Sequence, residues 1–153
     1  MIAGAALVLK TVDAIASGDY PQIDQTSLIK KDEPLKTAPK IFKNDCKINW
    51  KKDSSQLYNF IRGLCPYPAA WSEFINNDTG KRIIFKIYES QCICQPQSNI
   101  CGTIITDNKT YMNVAVTNGF ISIKSLQLAG KKRLSIENFL HGTDVGKFTI
   151  VDF

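Results

Sequence analysis

Residues 112–126, with the sequence MNVAVTNGFISIKSL, decide the fold class. Two runs in which apolar residues alternate with others flank Asn118-Gly119, and each run has the period-2 pattern of a half-buried strand. Asn-Gly is typical of the tight turn of a β-hairpin, because both central positions of that turn favour a positive φ. The stretch therefore predicts two antiparallel strands, Met112–Val116 and Phe120–Leu126, joined by a hairpin.

The sequence around this hairpin predicts further short strands and two short helices. Clusters of turn-forming residues separate the other candidate strands, which are Ala70–Ile75, Arg82–Glu89, Thr103–Thr106 and residues 147–152. The candidate helices are Ser54–Arg62, capped by Asp53 or Ser54, and Ser135–Leu140, ended by Gly142. Five or six short strands within about 85 residues are typical of a small closed barrel.

The N-terminal part has a helical pattern of apolar residues and then a proline-rich stretch, instead of alternating strands. Residues 2–16 have apolar side chains at helical spacing, which predicts a helix that stops near Gly18. The apolar stripe begins without a capping residue. This fits either a helix that continues an upstream domain or a native N-terminal helix packed on the rest of the chain. Residues 19–45 hold three of the six prolines and predict an extended linker.

Composition and charge narrow the class of protein. Hydrophobic residues make up 44% of the chain and charged residues 22%, which excludes wholesale disorder, collagen and coiled coil. No apolar run reaches the ~18 residues of a membrane-spanning helix, so no membrane contact is expected. The whole net charge of +5 falls in residues 46–153, which suits a polyanionic partner. Five irregularly spaced cysteines do not fit a secreted disulfide framework, so we expect reduced thiols and a cytoplasmic location.

Few residues are candidates for catalysis or for binding a metal. His141 lies in the last turn of a predicted helix, where the helix dipole alone explains a cation, and no residue spacing suggests a triad. Cys92, Cys94 and Cys101 could supply three zinc ligands, but a structural site needs a fourth. Ordinary reduced cysteines are the favoured interpretation, and we predict neither a catalytic nor a metal-binding residue.

The most pronounced basic feature is Gly130-Lys131-Lys132-Arg133, predicted as a loop that leads into the helix capped by Ser135. Because a helix N-terminus disfavours cations, local folding gives no reason for three of them here. A bound phosphate group would explain the three cations, because the side chains and the N–H groups at the helix N-terminus could hold it together. The alternative is a solvated surface loop.

Large aromatic side chains are a second feature that could serve a nucleic acid. Trp50, Tyr67 and Trp71 could stack on bases, and Lys47 and Lys51 flank the first of them. A barrel of this size needs large side chains to fill its interior, so we expect all three aromatic residues in the core.

Short sequence words in a fixed order extend over nearly the whole chain. They are Ala38-Pro39-Lys40, Ile48-Asn49-Trp50, Ile61-Arg62-Gly63, Pro66-Tyr67-Pro68, Cys101-Gly102-Thr103-Ile104 and Gly130-Lys131-Lys132. Each word is weak alone, but the series resembles the C-terminal part of the methionyl-tRNA formyltransferase family. The chain departs from the family in having Asn49 where Asp is usual and Cys101 where Pro is usual, and residues 90–100 resemble a local insertion.

The resemblance implies a fold and a division into domains. The implied fold is mainly β, a small OB-type Greek-key barrel with two short helices, preceded by a helix and an extended linker. Residues 1–18 would be the last helix of an N-terminal, Rossmann-like formyltransferase domain. Residues 19–45 would be the linker, and residues 46–153 the OB-type tRNA-binding domain.

The resemblance also implies a function in translation initiation. The family transfers a formyl group from 10-formyltetrahydrofolate to the amino group of methionine on the initiator tRNA, and its catalytic residues lie in the N-terminal domain. This chain is therefore expected to be inactive alone and to hold no cofactor. Its expected partners are initiator methionyl-tRNA and its own catalytic domain. The residues expected to bind tRNA are Lys40, Lys43, Arg62, Lys131, Lys132 and Arg133.

Two other functions stay open from the sequence. The same C-terminal module occurs in formyltransferases that act on a sugar nucleotide or are coupled to folate oxidation, where it need not bind tRNA. A free-standing OB-type module that binds nucleic acid is the alternative from a different class. An upstream catalytic domain in the same reading frame would exclude the free-standing module.

Overall fold

The chain divides into two units, Met1–Pro39 and Lys40–Phe153, in a computed structural model. The structure describes residues 2–29, 34 and 37–151. Parts of the predicted linker, residues 30–33 and 35–36, lie outside the described residues, and so does the end of the predicted last strand at residue 152.

The first unit contains helix α1, Ile2–Ser17, which confirms the helix predicted over residues 2–16. The helix ends at Ser17, and the φ of +75° at Gly18 lets the chain turn away at no steric cost. A 3₁₀ turn, Gln25–Leu28, follows, and the Asp24 side chain caps it by accepting a hydrogen bond from the Thr26 N–H. No helix among the described residues is both long and apolar enough to cross a membrane.

The second unit is mainly β-sheet. Its helices and strands are, in chain order, α2 Ser54–Leu64, β1 Ala70–Asn76, β2 Arg82–Cys94, β3 Ile104–Thr106, β4 Met112–Val116, β5 Gly119–Leu128, β6 Arg133–Ser135, α3 Ile136–His141 and β7 Phe148–Ile150. Two 3₁₀ turns, Lys43–Cys46 and Val145–Lys147, precede α2 and β7. The mainly β class and the two short helices within this unit are as predicted.

The strands pair antiparallel in the order β3-β4-β5-β2-β1-β7, with β6 added beside β5. β5 pairs along most of its length with β2, while its first half also pairs with β4 and its second half with β6. A sheet that bends around two such long strands forms a nearly closed, OB-like barrel. The predicted hairpin joins β4 to β5, but Val116 pairs with Gly119, so the two turn residues are Thr117 and Asn118 and not Asn118 and Gly119. Of these three residues only Gly119 has a positive φ.

Two elements differ most from the sequence prediction, while α2 and β5 each continue two residues past their predicted C-terminal ends. β2 continues past Glu89 to Cys94, because its backbone still forms hydrogen-bonded pairs with β5 where the apolar alternation of its own sequence stops. The pairing shifts register on both sides of Glu89, which marks a bulge. Strand β6 was not predicted, since three residues are too short to show a period.

Aromatic side chains fill the barrel. The rings of Phe74 and Phe85 stack with centroids 3.9 Å apart, and Phe139 of α3 lies parallel to Phe74 at 6.4 Å. Trp50 is fully buried, and its Nε1 donates a hydrogen bond to Ser72 Oγ at 3.0 Å. The indole therefore fills space without leaving a buried donor unpaired.

Candidate nucleic-acid interface

Strand register places four residues in one row across four neighbouring strands. Trp71 of β1 pairs with Lys86 of β2, Lys86 with Gln127 of β5, and Gln127 with Arg133 of β6. Directly paired residues of antiparallel strands project from the same face of the sheet. With strands about 4.8 Å apart, this cross-strand row is about 14 Å long.

Lysines gather at the Trp71 end of the cross-strand row. The Nζ atoms of Lys43 and Lys47 lie 5.4 Å and 5.2 Å from the centroid of the Trp71 ring. The indole Nε1 donates to the Lys43 carbonyl oxygen at 2.7 Å, which fixes the ring beneath the lysines. Lys47 also pairs with Glu73 at 3.6 Å, so part of its charge is compensated. The structure thus brings the predicted site residue Lys43 to the row.

Lys86 occupies the middle of the cross-strand row and supports an exposed aromatic turn. Its Nζ donates to the Pro68 carbonyl oxygen at 3.0 Å. The Cys65–Pro66 and Tyr67–Pro68 peptide bonds of this turn are both cis. The Tyr67 side chain is 87% exposed, so the prediction that it lies in the core is wrong, whereas Trp50 and Trp71 are buried as predicted. The next two residues, alanines 69 and 70, take the buried positions, which leaves the tyrosine outside.

The other end of the cross-strand row is a basic hairpin turn between β5 and β6. Gly130, with φ +73°, lets the chain reverse, and the Lys131 N–H donates to the Leu128 carbonyl oxygen at 3.0 Å. Both Lys131 and Lys132 are exposed. Among the described residues, no carboxylate lies within ion-pair distance of either lysine.

Arg133 differs from the two lysines that precede it. It begins strand β6, so the prediction of a loop through residue 133 is wrong at this residue. Its Nη2 lies 2.7 Å from Glu89 Oε1, its Nε donates to Ser125 Oγ at 2.8 Å, and its guanidinium carbon lies 4.6 Å from the centroid of the Tyr88 ring. These contacts hold Arg133 on the sheet and compensate its charge. Because β6 separates the turn from the six-residue helix α3, a phosphate held jointly by the lysines and that helix end is not supported.

The two remaining predicted residues make local contacts. Arg62, in the last turn of α2, donates through Nε to Asn59 Oδ1 at 2.8 Å, and its guanidinium carbon lies 5.9 Å from the centroid of the Tyr58 ring. The Nζ of Lys40 lies 5.5 Å from the centroid of the Phe42 ring. Neither set of contacts involves a residue of the cross-strand row.

We call the cross-strand row, with Lys43 and Lys47 at one end and Lys131 and Lys132 at the other, the basic surface. Beneath its hairpin end lies a cavity of about 310 Å³ with an apolar floor and a cationic rim. It is lined by Leu128, Lys131, Lys132, Leu134, Asn138, Phe139, Gly142 and Thr143. Such a surface can hold phosphates at its cationic ends, and the cavity beneath the hairpin end can accept an apolar or aromatic group.

Sequence reasoning noted Lys47 beside Trp50 without predicting it as a site residue, and it missed Lys86 altogether. Lys86 stands in the strand pattern of β2 between Phe85 and Ile87, where a single charged residue carries no signal of its own. Lys86 belongs to the surface only because it pairs with Trp71 and Gln127, which are remote from it in sequence.

Comparison with known proteins places the chain in a family. The model of the formyl transferase C-terminal domain matches residues 40–144. The methionyl-tRNA formyltransferase of Phocaeicola vulgatus is 50% identical over 142 residues, 93% of this chain and 44% of that protein. Those of Parabacteroides distasonis and Bacteroides thetaiotaomicron are 44% and 47% identical over 151 and 142 residues, which are 46% and 44% of their lengths.

The aligned part therefore spans less than half the length of these curated relatives. The family match, in contrast, covers most of the present chain, including α2, α3 and strands β1 to β6. The barrel that carries the basic surface is the part so matched, and the chain belongs to the formyl transferase C-terminal domain family.

Proposed function

We propose that this chain is the tRNA-holding part of a methionyl-tRNA formyltransferase. The whole protein would transfer a formyl group from 10-formyltetrahydrofolate to the amino group of methionyl-initiator tRNA, in the cytoplasm, at translation initiation. The names of the relatives support the choice of reaction. The observation that carries the tRNA-holding role is the basic surface, above all the Lys131-Lys132 turn.

The turn is suited to a phosphate backbone for two reasons. Both lysines are exposed, and within the described part of the chain neither has a carboxylate at ion-pair distance, so their charge is available to a partner. The backbone beneath them is fixed, since Gln127 Nε2 donates to the Lys131 carbonyl oxygen at 2.8 Å. A cation on a fixed backbone loses less conformational entropy on binding than one on a mobile loop.

We assign the formyl transfer itself to a catalytic half of the same protein. The relatives are more than twice as long as the segment they share with this chain. In this proposal α1 is the last helix of the catalytic half and residues 19–45 link it to the barrel. The purified chain alone, given methionyl-tRNA and 10-formyltetrahydrofolate, should form no formylmethionyl-tRNA. Transfer by the chain alone would contradict this assignment.

The main test is the double substitution Lys131→Ala, Lys132→Ala, measured by tRNA binding over a range of salt concentrations. Removing one lysine–phosphate interaction should flatten the slope of log K against log salt by about 0.7–0.9, so the double variant should flatten it by up to about twice that. The urea midpoint of unfolding should hardly change, because both side chains are exposed.

A matched control removes the same charge elsewhere. Lys109 lies in the turn before β4, and Lys124 is exposed on β5 outside the cross-strand row. The variant Lys109→Ala, Lys124→Ala should keep the parent slope. If the two double variants bind tRNA alike, the hairpin turn is an ordinary solvated surface and the tRNA-holding role must be sought around Lys40, Lys43 and Arg62.

Tyr67 gives a second, uncharged test of the same surface. Its exposed ring lies in a turn braced by Lys86, so an unpaired base can stack on it without the ring moving. Stacking on one base is worth about 1–3 kcal/mol, so Tyr67→Ala should weaken tRNA binding while leaving the salt slope unchanged. Tyr67→Phe keeps the ring and should bind as the parent does. A steeper or flatter slope in Tyr67→Ala would show that the effect is not stacking.

A further inference from the structure

The cavity beneath the Lys131-Lys132 turn lies between strands β5 and β6 and helix α3. Leu128 and Leu134 of the two strands and Phe139 of the helix make its floor apolar, and its volume is about 310 Å³. Leu134 pairs with the fully buried Leu126, yet it is itself 39% exposed. A ligand in the cavity would therefore cover apolar surface that the barrel leaves open to water.

The rim of the cavity is cationic. Lys131 and Lys132 line it, and both side chains are exposed. Among the described residues, no carboxylate lines the cavity and none lies within ion-pair distance of either lysine. A matching ligand therefore brings negative charge to the rim as well as an apolar group to the floor.

Hydrogen bonds from two strands fix the rim in place. The Tyr88 hydroxyl of β2 donates to Gln127 Oε1 of β5 at 2.7 Å, and Gln127 Nε2 donates to the Lys131 carbonyl oxygen at 2.8 Å. The Lys131 N–H donates in turn to the Leu128 carbonyl oxygen at 3.0 Å. Because both backbone groups of Lys131 are bonded, the cavity exists before a ligand arrives, and binding does not have to order its rim.

Asn138 of α3 adds a polar group to the wall of the cavity. Its backbone N–H is bonded to the Ser135 hydroxyl oxygen, which caps the helix. Its side-chain amide makes no hydrogen bond to another residue of the described part of the chain. An amide offers both a donor and an acceptor, which is the combination that pairs with the edge of a nucleic-acid base.

We propose that this cavity receives one unpaired base of the bound RNA, with a neighbouring phosphate of the same strand against Lys131 and Lys132. A nucleotide joins a flat aromatic base to an anionic phosphate, which matches an apolar cavity under a cationic rim. An apolar peptide segment would leave the two lysines without a counter-charge. The base comes from a single-stranded loop or end, because a base within a duplex is stacked and paired. This inference rests on the proposed tRNA-holding function and adds a base contact to its phosphate contacts.

The first test fills the cavity without changing any charge. Gly142 lines the cavity, a Cβ atom there would meet no heavy atom within 4 Å, and its φ of −106° suits any residue. The leucine of Gly142→Leu would thus occupy part of the cavity. The Kd for initiator tRNA should rise by a factor of about 5–150, the range for the loss of one stacked base. The salt slope should stay that of the parent, because no phosphate contact is removed.

A matched control adds the same side chain away from the cavity. Gly63 of α2 also has open space at its Cβ position and does not line the cavity, so Gly63→Leu should bind tRNA as the parent does. If Lys131→Ala, Lys132→Ala weakens binding and Gly142→Leu does not, the tRNA-holding role stands and the base contact is refuted. If neither variant weakens binding, both proposals are refuted.

Photocrosslinking of the unsubstituted full chain decides the matter if Gly142→Leu folds poorly. The probe is a single-stranded oligoribonucleotide that carries 4-thiouridine, irradiated in the complex and followed by trypsin digestion and mass spectrometry. Trypsin cuts after Arg133 and Lys147, so a base in the cavity should be linked to the peptide of residues 134–147. The same sequence in a fully paired duplex should give no such link. Links only at other peptides, such as the one that contains Tyr67, or equal links from the duplex, overturn the inference.

Discussion

Helices α1 and α2 have opposite relations to their surroundings. α2 begins with the Asp53 side chain accepting from the Gln56 N–H at 2.8 Å, and it buries Leu57, Ile61 and Leu64. α1 has no acidic residue in its first turn, and its Leu7 and Val12 are 65% and 55% exposed. The first helix presents its apolar side chains to solvent, and the second presents them to the barrel.

The two helices are stabilised by different interactions. α2 contains no alanine and several polar residues, so its intrinsic helix propensity is modest and burial of its apolar face stabilises it. α1 is rich in alanine, and its helical form rests on local propensity. Changes to apolar side chains should therefore act on α2 and hardly at all on α1.

The largest effect is expected from truncating the buried face of α2. Leu57 is 1% exposed, and Leu57→Ala leaves a cavity, so the free energy of unfolding should fall by about 2–5 kcal/mol. The matched change Leu7→Ala in α1 should stay within about 0.5 kcal/mol. Urea denaturation followed by tryptophan fluorescence measures both, because Trp50 and Trp71 lie in the barrel. Equal losses in the two variants would contradict the comparison.

A smaller effect is expected at the cap of α2. Hydrogen bonds from the Gln56 N–H and the Ser55 hydroxyl lower the pKa of Asp53 below its usual value of about 3.9. The cap therefore contributes its full stabilisation when the pH is above the pKa of Asp53 in the unfolded chain. This contribution is lost as the pH falls through the lower pKa that Asp53 has in the folded chain.

Asp53→Ala should lower the urea midpoint at pH 7 by a fraction of the Leu57→Ala effect, and Asp53→Asn, which keeps an acceptor, should lower it less. The difference between the parent and Asp53→Ala should shrink on acidification below about pH 4. A difference that stays constant down to pH 2 would show that the carboxylate is not what caps α2.

The smallest effects are expected from two glycines inside the helices. A Cβ atom would meet nothing within 4 Å at Gly4 of α1 or at Gly63 of α2. Gly63→Ala should raise the free energy of unfolding of the barrel by about 0.5–1 kcal/mol. Gly4→Ala should increase helical circular dichroism without moving the barrel's urea midpoint. A shift of that midpoint in Gly4→Ala would break the distinction between the two helices.

Both helices could be predicted from the sequence, because caps, stops and apolar spacing are local signals. For the same reason the hairpin between β4 and β5 was predicted to within one residue, and β4 was predicted with the bounds it has. β6 could not be predicted, because its three residues form a strand only where β5 extends far enough to pair with them. The far half of β2 was missed for a similar reason.

The candidate site was predictable in part. The exposed pair Lys131 and Lys132 could be picked out as a cluster in a turn, whereas Arg133 follows directly and yet pairs with Glu89, a residue remote in sequence. Lys86 gave no signal, because it joins Trp71 and Gln127 only through strand register. Local patterns thus identify charges, but strand pairing determines which charges stay exposed and which pair with one another.

During protein synthesis, the residues of the basic surface leave the ribosome in the order of their numbers, from Lys43 to Arg133. Trp71 and Lys86 can pair as soon as β1 and β2 have emerged, but Gln127 and Arg133 complete the surface only when nearly the whole barrel is available. A nascent chain therefore cannot display this surface prematurely. The complete cationic face exists only after the barrel has folded.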